Sequence, residues 1–348
     1  MLARLYILMP YTIIVPEDQE YRVYEEQDGD YTVRFLPPQR DPAMMFGRHP
    51  SGLKLNGKPA FEANVMRIDF HKEDFDRTAD GPTDPPEDVI RRAVTDFHAG
   101  LRFTTRAAHA SPVSFPWNQW RLDYTKDDGS ELETQKGYVK GRGTIQFQFS
   151  FIGISPEVWD NAFGLPSGFK IPVWDGLRLD ALAALPSVGT ALVLAATSLE
   201  VFISILLDDL AARQRLSDSL WTWITARGGR TLQQPSVEEQ FDVLLKEFTG
   251  HTLKEDAALW EAFKNLRSAR NSFVHEGVAM VGKTPLSKDD AAVLVGRVDS
   301  IIAKIREWIP EDIRWPVPQV QVNLEWTHTL IEPSNRAVQP TPEGAADR

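Results

Sequence analysis

From residue 1 to about residue 152, apolar and polar positions alternate singly. Met66, Ile68 and Phe70 are interleaved with Arg67, Asp69 and His71. Trp120, Leu122 and Tyr124 are spaced the same way, and so are Ile145, Phe147, Phe149 and Phe151. A period of two with one apolar face predicts half-buried strands. Leu5–Val15 is largely apolar and reads as a buried strand. One helix interrupts this pattern: Val89, Ile90, Ala93, Val94 and Phe97 form an apolar stripe, with Asp84 as the expected N-cap and Pro85 in the first turn. No internal repeat stands out. Residues 153–186 are punctuated by Pro and Gly, with a short helix predicted at Pro156–Phe163. The connector proper is drawn at 153–176.

Beyond the connector the period becomes helical. Helices are predicted at about 188–214, 217–227, 236–249, 253–276 and 287–309, within a helical unit spanning 177–309. Ser236 with Glu239 and Ser287 with Asp290 have capping-box spacing, and Gly250 and Gly277 stand where helices should stop. The segment 310–332 returns to alternation at Val320, Val322, Leu324 and Trp326. A lone strand needs a partner, so it is expected to rejoin the N-terminal sheet. Residues 333–348 read as a disordered tail. The fold class expected is therefore α+β with two domains: β-rich at 1–152, then an all-α bundle.

Charge and composition narrow the chemistry. There are no cysteines, which removes disulfides, thiolate nucleophiles and Cys-ligated metals and fits a cytoplasmic protein. The formal charge is -11. Both halves of the chain are acidic, so any nucleic acid must be met by a local cationic spot rather than a basic face. Ala191–Leu207 is long and apolar but carries Glu200 at mid-span, which is costly in lipid. It is expected to be a core helix, with no membrane involved.

Several motif matches lack the context that their chemistry needs. Residues Gly277 to Thr284 fit the phosphate-binding loop pattern, but a helix precedes them and Pro285 follows, whereas the mechanism needs a strand before and a helix after. Gly141-Arg-Gly143 reads as a turn. His71, Glu73 and Asp76 read as a solvated face rather than a metal site. No cofactor or metal is expected.

The stretch Trp260–Glu276, WEAFKNLRSARNSFVHE, carries the candidate site. Trp260, Phe263, Leu266 and Phe273 form its apolar stripe. Arg267, Asn271 and His275 are spaced i, i+4, i+8 and share one side, and Arg270 lies about 100° from Asn271. Arg is a permanent planar cation for phosphate, His moves protons near neutral pH, and Asn can orient the imidazole or hydrogen-bond a phosphate oxygen. Such a set can activate an RNA 2′-hydroxyl against its own phosphodiester without metal. A satisfied polar patch at a bundle interface is the alternative reading of the same spacing.

Arg270-Asn-Ser-Phe-Val-His275 resembles the R-N-x-x-x-H signature of HEPN domains, and the helix around Ala191–Ile203 resembles that family's first long helix. The resemblance covers roughly residues 177–309. It implies a dimeric helical bundle with two Arg–His motifs facing one cleft, and a ribonuclease in a defence or toxin–antitoxin setting. Arg270 and His275 take the catalytic positions, and Asn271 the polar position after the Arg. Arg267 and Glu200 are accessory candidates. The partners implied are an RNA substrate, a second copy of the chain, and an antitoxin or regulator. The rival expectation is a non-catalytic scaffold or binding module in which Arg270 and His275 lock an interface.

Overall fold

The computed structural model describes residues 2–40, 51–73, 77–78, 81–82, 84–110, 119–125, 130–138, 151–165, 170–185, 187–225, 234–316 and 324–327. The chain opens with strand β1 (Leu2–Pro16), β2 (Tyr24–Asp28), β3 (Tyr31–Gln39), β4 (Ser51–Leu55) and β5 (Lys58–His71). A two-residue hairpin follows, β6 (Arg77–Thr78) with β7 (Gly81–Pro82). Then come helix α1 (Glu87–Thr105), β8 (Gln119–Thr125), β9 (Glu131–Tyr138) and β10 (Phe151–Gly153). β1 is central. It runs antiparallel to β5 on one side and to β8 on the other, with β9 beyond β8 and β3 and β2 beyond β5. Pro10 has no N–H to give to a ladder. The β1–β5 register slips between Leu8 and Ile13, around that position. The first half of β1 then pairs with β8, and the second half with β10 in parallel.

One face of the sheet is apolar. Leu5, Ile7, Val33, Ile68, Phe70, Leu122 and Tyr124 are buried there against Val89, Val94 and Phe97 of α1 and Val158 and Trp159 of helix α2 (Pro156–Phe163). Each such side chain contributes about 1.5–3 kcal/mol when fully buried. Ser155 caps α2 by accepting from the Val158 N–H at 3.2 Å, and the Trp159 indole donates to the Arg22 carbonyl at 2.8 Å. The short helix expected inside the connector thus belongs to the sheet's core.

The start of α1 differs from expectation. Its N-cap is Pro86, with no side-chain capping bond. Pro86 holds Pro85 out of the helical region, which removes Pro85 from the first turn. The Asp84 carboxylate instead accepts from the Tyr124 hydroxyl, so it tethers the loop to β8 rather than capping the helix.

The second core is helical. It comprises α3 (Val173–Ala183), α4 (Val188–Arg213), α5 (Asp218–Thr225), α6 (Val237–Glu239), α7 (Leu245–Thr249), α8 (Ala257–Glu276) and α9 (Lys288–Trp308). Between α8 and α9 lies the hairpin β11 (Met280–Val281) and β12 (Thr284–Pro285). α3 begins inside the expected connector, and its Trp174 packs in this core. α4 carries Leu192, Leu199, Phe202, Ile203, Leu206 and Leu210 into it, packed against α3, α8 and α9. Its apolar length is thus a core helix's, as expected. Both expected capping boxes form, Ser236 with Glu239 and Ser287 with Asp290. The helix expected at 236–249 is not uniform: Gln240–Leu244 adopts a π turn between α6 and α7. The one expected at 253–276 splits into a 3-10 turn at Leu253–Glu255 and α8, because Asp256 caps α8 by accepting from the Leu259 N–H at 3.0 Å.

The chain then returns to the sheet. β13 (Leu324–Thr327) pairs antiparallel with β4, placing Leu324 beside Leu55. Val320 and Val322 of the expected strand lie outside the described residues, as do the alternation at 145–149, Gly141-Arg-Gly143, and the tail at 333–348.

Charged side chains join the two cores. Arg106, in the left-handed conformation that ends α1 (φ 56°), donates to both oxygens of Asp175 on α3, at 2.7 and 2.5 Å. Arg102 reaches Asp180 at 2.6 Å. Asp175 is buried, lies 3.4 Å from Arg178, and Arg178 in turn pairs with Asp299 of α9.

Candidate functional site

Leu259, Phe263, Leu266 and Ala269 are the buried residues of α8, at steps of four and three that hold one face against the bundle. That fixes the opposite side outward. Gly277 ends the helix in the left-handed region (φ 75°), its N–H bonded to the Phe273 carbonyl at 2.9 Å. The Ser272 hydroxyl donates to the Val278 carbonyl at 2.7 Å, tying the hairpin back onto α8. The ring of Phe273 lies against Gly189 in the first turn of α4, so close that a Cβ there would be 2.0 Å from it. The last turns of α8 are therefore seated by a contact that only glycine allows.

Asn271 and His275 are exposed at this end of α8, and Arg270 is half-buried. Arg270 donates through Nη1 to Asn271 Oδ1 at 2.9 Å, while its Nε is buried without a partner. Asn271 thus orients the guanidinium rather than the imidazole. Among the described residues His275 has no hydrogen bond or ion pair, and neither it nor Arg270 meets a carboxylate. Arg267 is committed elsewhere. Its guanidinium is 2.5 Å from Glu238 and 5.6 Å from the Phe263 ring, so it ties α8 to α6 instead of serving the motif. Glu200 is half-buried on α4 with no polar partner among the described residues. The arrangement offers a pre-oriented guanidinium beside a solvent-open imidazole.

The loop pattern at 277–284 has the geometry expected of a decoy. Gly277 caps a helix, and Gly282 with Lys283 turns the β11–β12 hairpin. Of the His71, Glu73 and Asp76 trio, Asp76 lies outside the described residues. Among the described residues, no group of three or more His, Asp or Glu side chains could hold a metal ion. A surface cleft lies at the far end of α8, where the His251 ring stacks on Trp308 at 5.4 Å and bonds Glu255 at 2.9 Å.

Two polar features escaped the sequence reading. In the sheet core, His98 and Tyr11 are buried together, with 2.7 Å between Nδ1 and the hydroxyl. Burial pushes the His98 imidazole down to about 4 and the Tyr11 phenol upward. On the other face of the sheet, Met66-Arg-Ile-Asp-Phe70 of β5 is echoed by Trp120-Arg-Leu-Asp-Tyr124 of β8. Both strands flank β1. The register sets Arg67 and Arg121 on either side of Tyr6, and Asp69 and Asp123 on either side of Arg4. Arg67 forks onto Asp69 at 2.8 and 2.6 Å, and Arg121 bonds Asp123 at 3.0 Å. The repeated Arg-x-Asp pair was the available signal, because alternate residues of a strand share a face.

No protein-family model, curated protein or solved structure matches this chain.

Proposed function

We propose that the chain is a metal-independent endoribonuclease of the HEPN type, acting as a homodimer in the cytoplasm. The observation that carries this reading is the state of the motif. Arg270, Asn271 and His275 share the exposed end of one helix, and among the described residues no carboxylate meets Arg270 or His275. The rival scaffold, in which Arg270 and His275 lock an interface, predicts both side chains buried and paired to carboxylates. In the proposed reaction Arg270 binds the scissile phosphate and stabilises the charge it gains, with Asn271 holding the guanidinium plane. His275 moves the proton. The 2′-oxygen bonds to phosphorus as its proton leaves, the bond from phosphorus to the 5′-oxygen breaks, and that oxygen is protonated. The products are a 2′,3′-cyclic phosphate and a 5′-hydroxyl. Two copies of the motif facing one cleft concentrate positive charge despite a net charge of -11. Glu200 stays in the proposal as an accessory acid; Arg267 is structural. A defence or toxin–antitoxin setting, with an antitoxin or regulator as partner, comes with the HEPN resemblance.

The test is cleavage of total RNA and tRNA by the purified full chain in EDTA, beside Arg270→Ala and His275→Ala. Each substitution is expected to lower the rate by roughly 10²–10⁴-fold. Cleavage that requires added metal, or that survives in either variant, would overturn the mechanism. The second reading, a non-catalytic dimeric binding module, draws on the Arg270–Asn271 bond, which already satisfies one guanidinium nitrogen, and on the acidic chain. A dimer that cleaves no RNA would favour it.

A further inference from the structure

Strand β2 closes one side of the N-terminal sheet. It pairs with β3 from Tyr24 opposite Phe35 to Asp28 opposite Tyr31, and among the described residues nothing pairs with its other side. Alternate backbone N–H and C=O groups of β2 therefore point outward with no strand to receive them. The strand is held firmly from behind. The Tyr24 hydroxyl donates to Asp160 of α2 at 2.6 Å, and the Arg22 carbonyl accepts from the Trp159 indole. Arg92 of α1 forks onto Asp28 at 2.8 and 2.9 Å. Val23, just before the strand, keeps 50% of its surface in solvent. Charged side chains are one way an edge is kept from pairing with its own kind. Here they carry one sign: residues 17–30 hold seven carboxylates and a single cation, Arg22. Tyr24, Glu26 and Asp28 alternate along β2 and so share one face. Asp96 of α1 stands beside Glu26 and Asp28, and Arg92 also bonds Asp88 at 2.8 Å. Among the described residues Glu26, Asp28, Asp88 and Asp96 thus share one cation, and Glu26 and Asp96 have no hydrogen bond or ion pair. Partial desolvation, and then the neighbouring carboxylates, raise the Glu26 and Asp96 carboxyls above the ordinary range.

We infer that β2 is a docking edge for an extended, basic segment of a protein partner, which joins the sheet as a further strand. The backbone of β2 supplies the hydrogen bonds, and Lys or Arg at every second position of the incoming strand meets Glu26 and Asp96. Side chains directly across a strand pair stand about 4.5–5.5 Å apart at Cβ, within reach of an ion pair. The same carboxylates repel a second β2, so the edge turns away its own copy and admits a strand of opposite sign. A strand already fixed by α1 and α2 loses little freedom on binding. A metal ion is the poorer occupant, since among the described residues no group of three or more His, Asp or Glu could hold one. The docking edge and the nuclease reading stand independently of each other.

The test uses the full chain and a fluorescent peptide of Lys-Thr repeats, which sets every lysine on one face of an extended strand. Two further peptides are N-methylated at every second residue, one at the lysines and one at the threonines. They keep the charge, but each loses the donors along one edge. In anisotropy titrations one of these two is expected to bind about tenfold more weakly or worse, and the other like the unmodified peptide. Glu26→Gln and Asp96→Asn, each checked for folding by circular dichroism, should weaken the Lys-Thr peptide about two- to fivefold. Glu26→Lys should instead favour a peptide of Glu-Thr repeats. Hydrogen exchange of the parent should slow at residues 24–28 when the Lys-Thr peptide is bound, and that arm decides even if a substitution unfolds the sheet. No binding of the Lys-Thr peptide, equal binding of both N-methylated peptides, unchanged affinity in the folded variants, or protection confined to other segments would each overturn the inference. So would protection of 24–28 that grows with protein concentration alone, because the occupant would then be a second copy of the chain.

Discussion

The sheet unit and the outer end of α8 treat their polar groups in opposite ways. In the sheet, Asp69 and Asp123 are buried and braced by arginines, and His98 is fully enclosed beside Tyr11. In the helical unit the buried charges, Asp175 and Arg178, sit on α3 at the seam with α1, while the Arg270–His275 motif at the end of α8 stands at the surface with no carboxylate beside it among the described residues. Buried ion pairs hold a structure in one arrangement, because removing one partner strands the other. A cation without a countercharge is available for a ligand. The contrast assigns framework to the first set and chemistry to the second, with the Arg106–Asp175–Arg178 chain lying between them.

The contrast can be broken at several points. The largest stability effect is expected at that chain. Asp175→Ala leaves Arg106 and buried Arg178 without their shared carboxylate and should cost about 3–5 kcal/mol in urea unfolding; a loss under 1 kcal/mol would mean that the joint is slack. Next is the buried imidazole. An unfolded histidine takes its proton near 6.5, but His98 resists it down to about 4. Its stabilising share is therefore present above pH 6.5 and is lost as the pH falls from 6.5 to 4, by about 3 kcal/mol in all. Comparing stability against pH for the parent and His98→Phe isolates that slope, and parallel curves would show that His98 titrates normally. Gly189→Ala drives a methyl into the Phe273 ring and should cost about 1–3 kcal/mol. Because the same ring seats the motif, RNA cleavage should fall more than stability alone explains. The smallest effect is expected at Ser287→Ala, which removes the cap of α9 for about 1 kcal/mol and should leave cleavage unchanged.

The sequence made some features legible because they are local. The alternating strands, the apolar α4 and the Arg–His end of α8 all depend on spacing within one element. So do the capping boxes at Ser236 and Ser287. What stayed hidden depends on neighbours distant in sequence. Asp69 and Asp123 looked like solvent-facing residues of half-buried strands. They are buried because β1 lies between two strands carrying the same Arg-x-Asp pair. Arg267 looked available on the motif's side of the helix until Glu238 arrived from α6. Asp84 looked like a cap, yet the tyrosine that claims it lies forty residues further along. Asn271 was expected to reach His275, and only side-chain geometry shows it accepting from Arg270 instead.

The return of β13 to β4 bears on how the molecule is made. The sheet's outer strand at that edge comes from residues 324–327, translated after the entire helical unit. On the ribosome the bundle therefore emerges while β4 still presents an open edge, the kind of surface on which nascent chains associate. A fragment ending after α2 would carry that edge permanently. A soluble version of the N-terminal unit should therefore be sought by excising the bundle and splicing residues 324–327 back on, not by stopping the gene early.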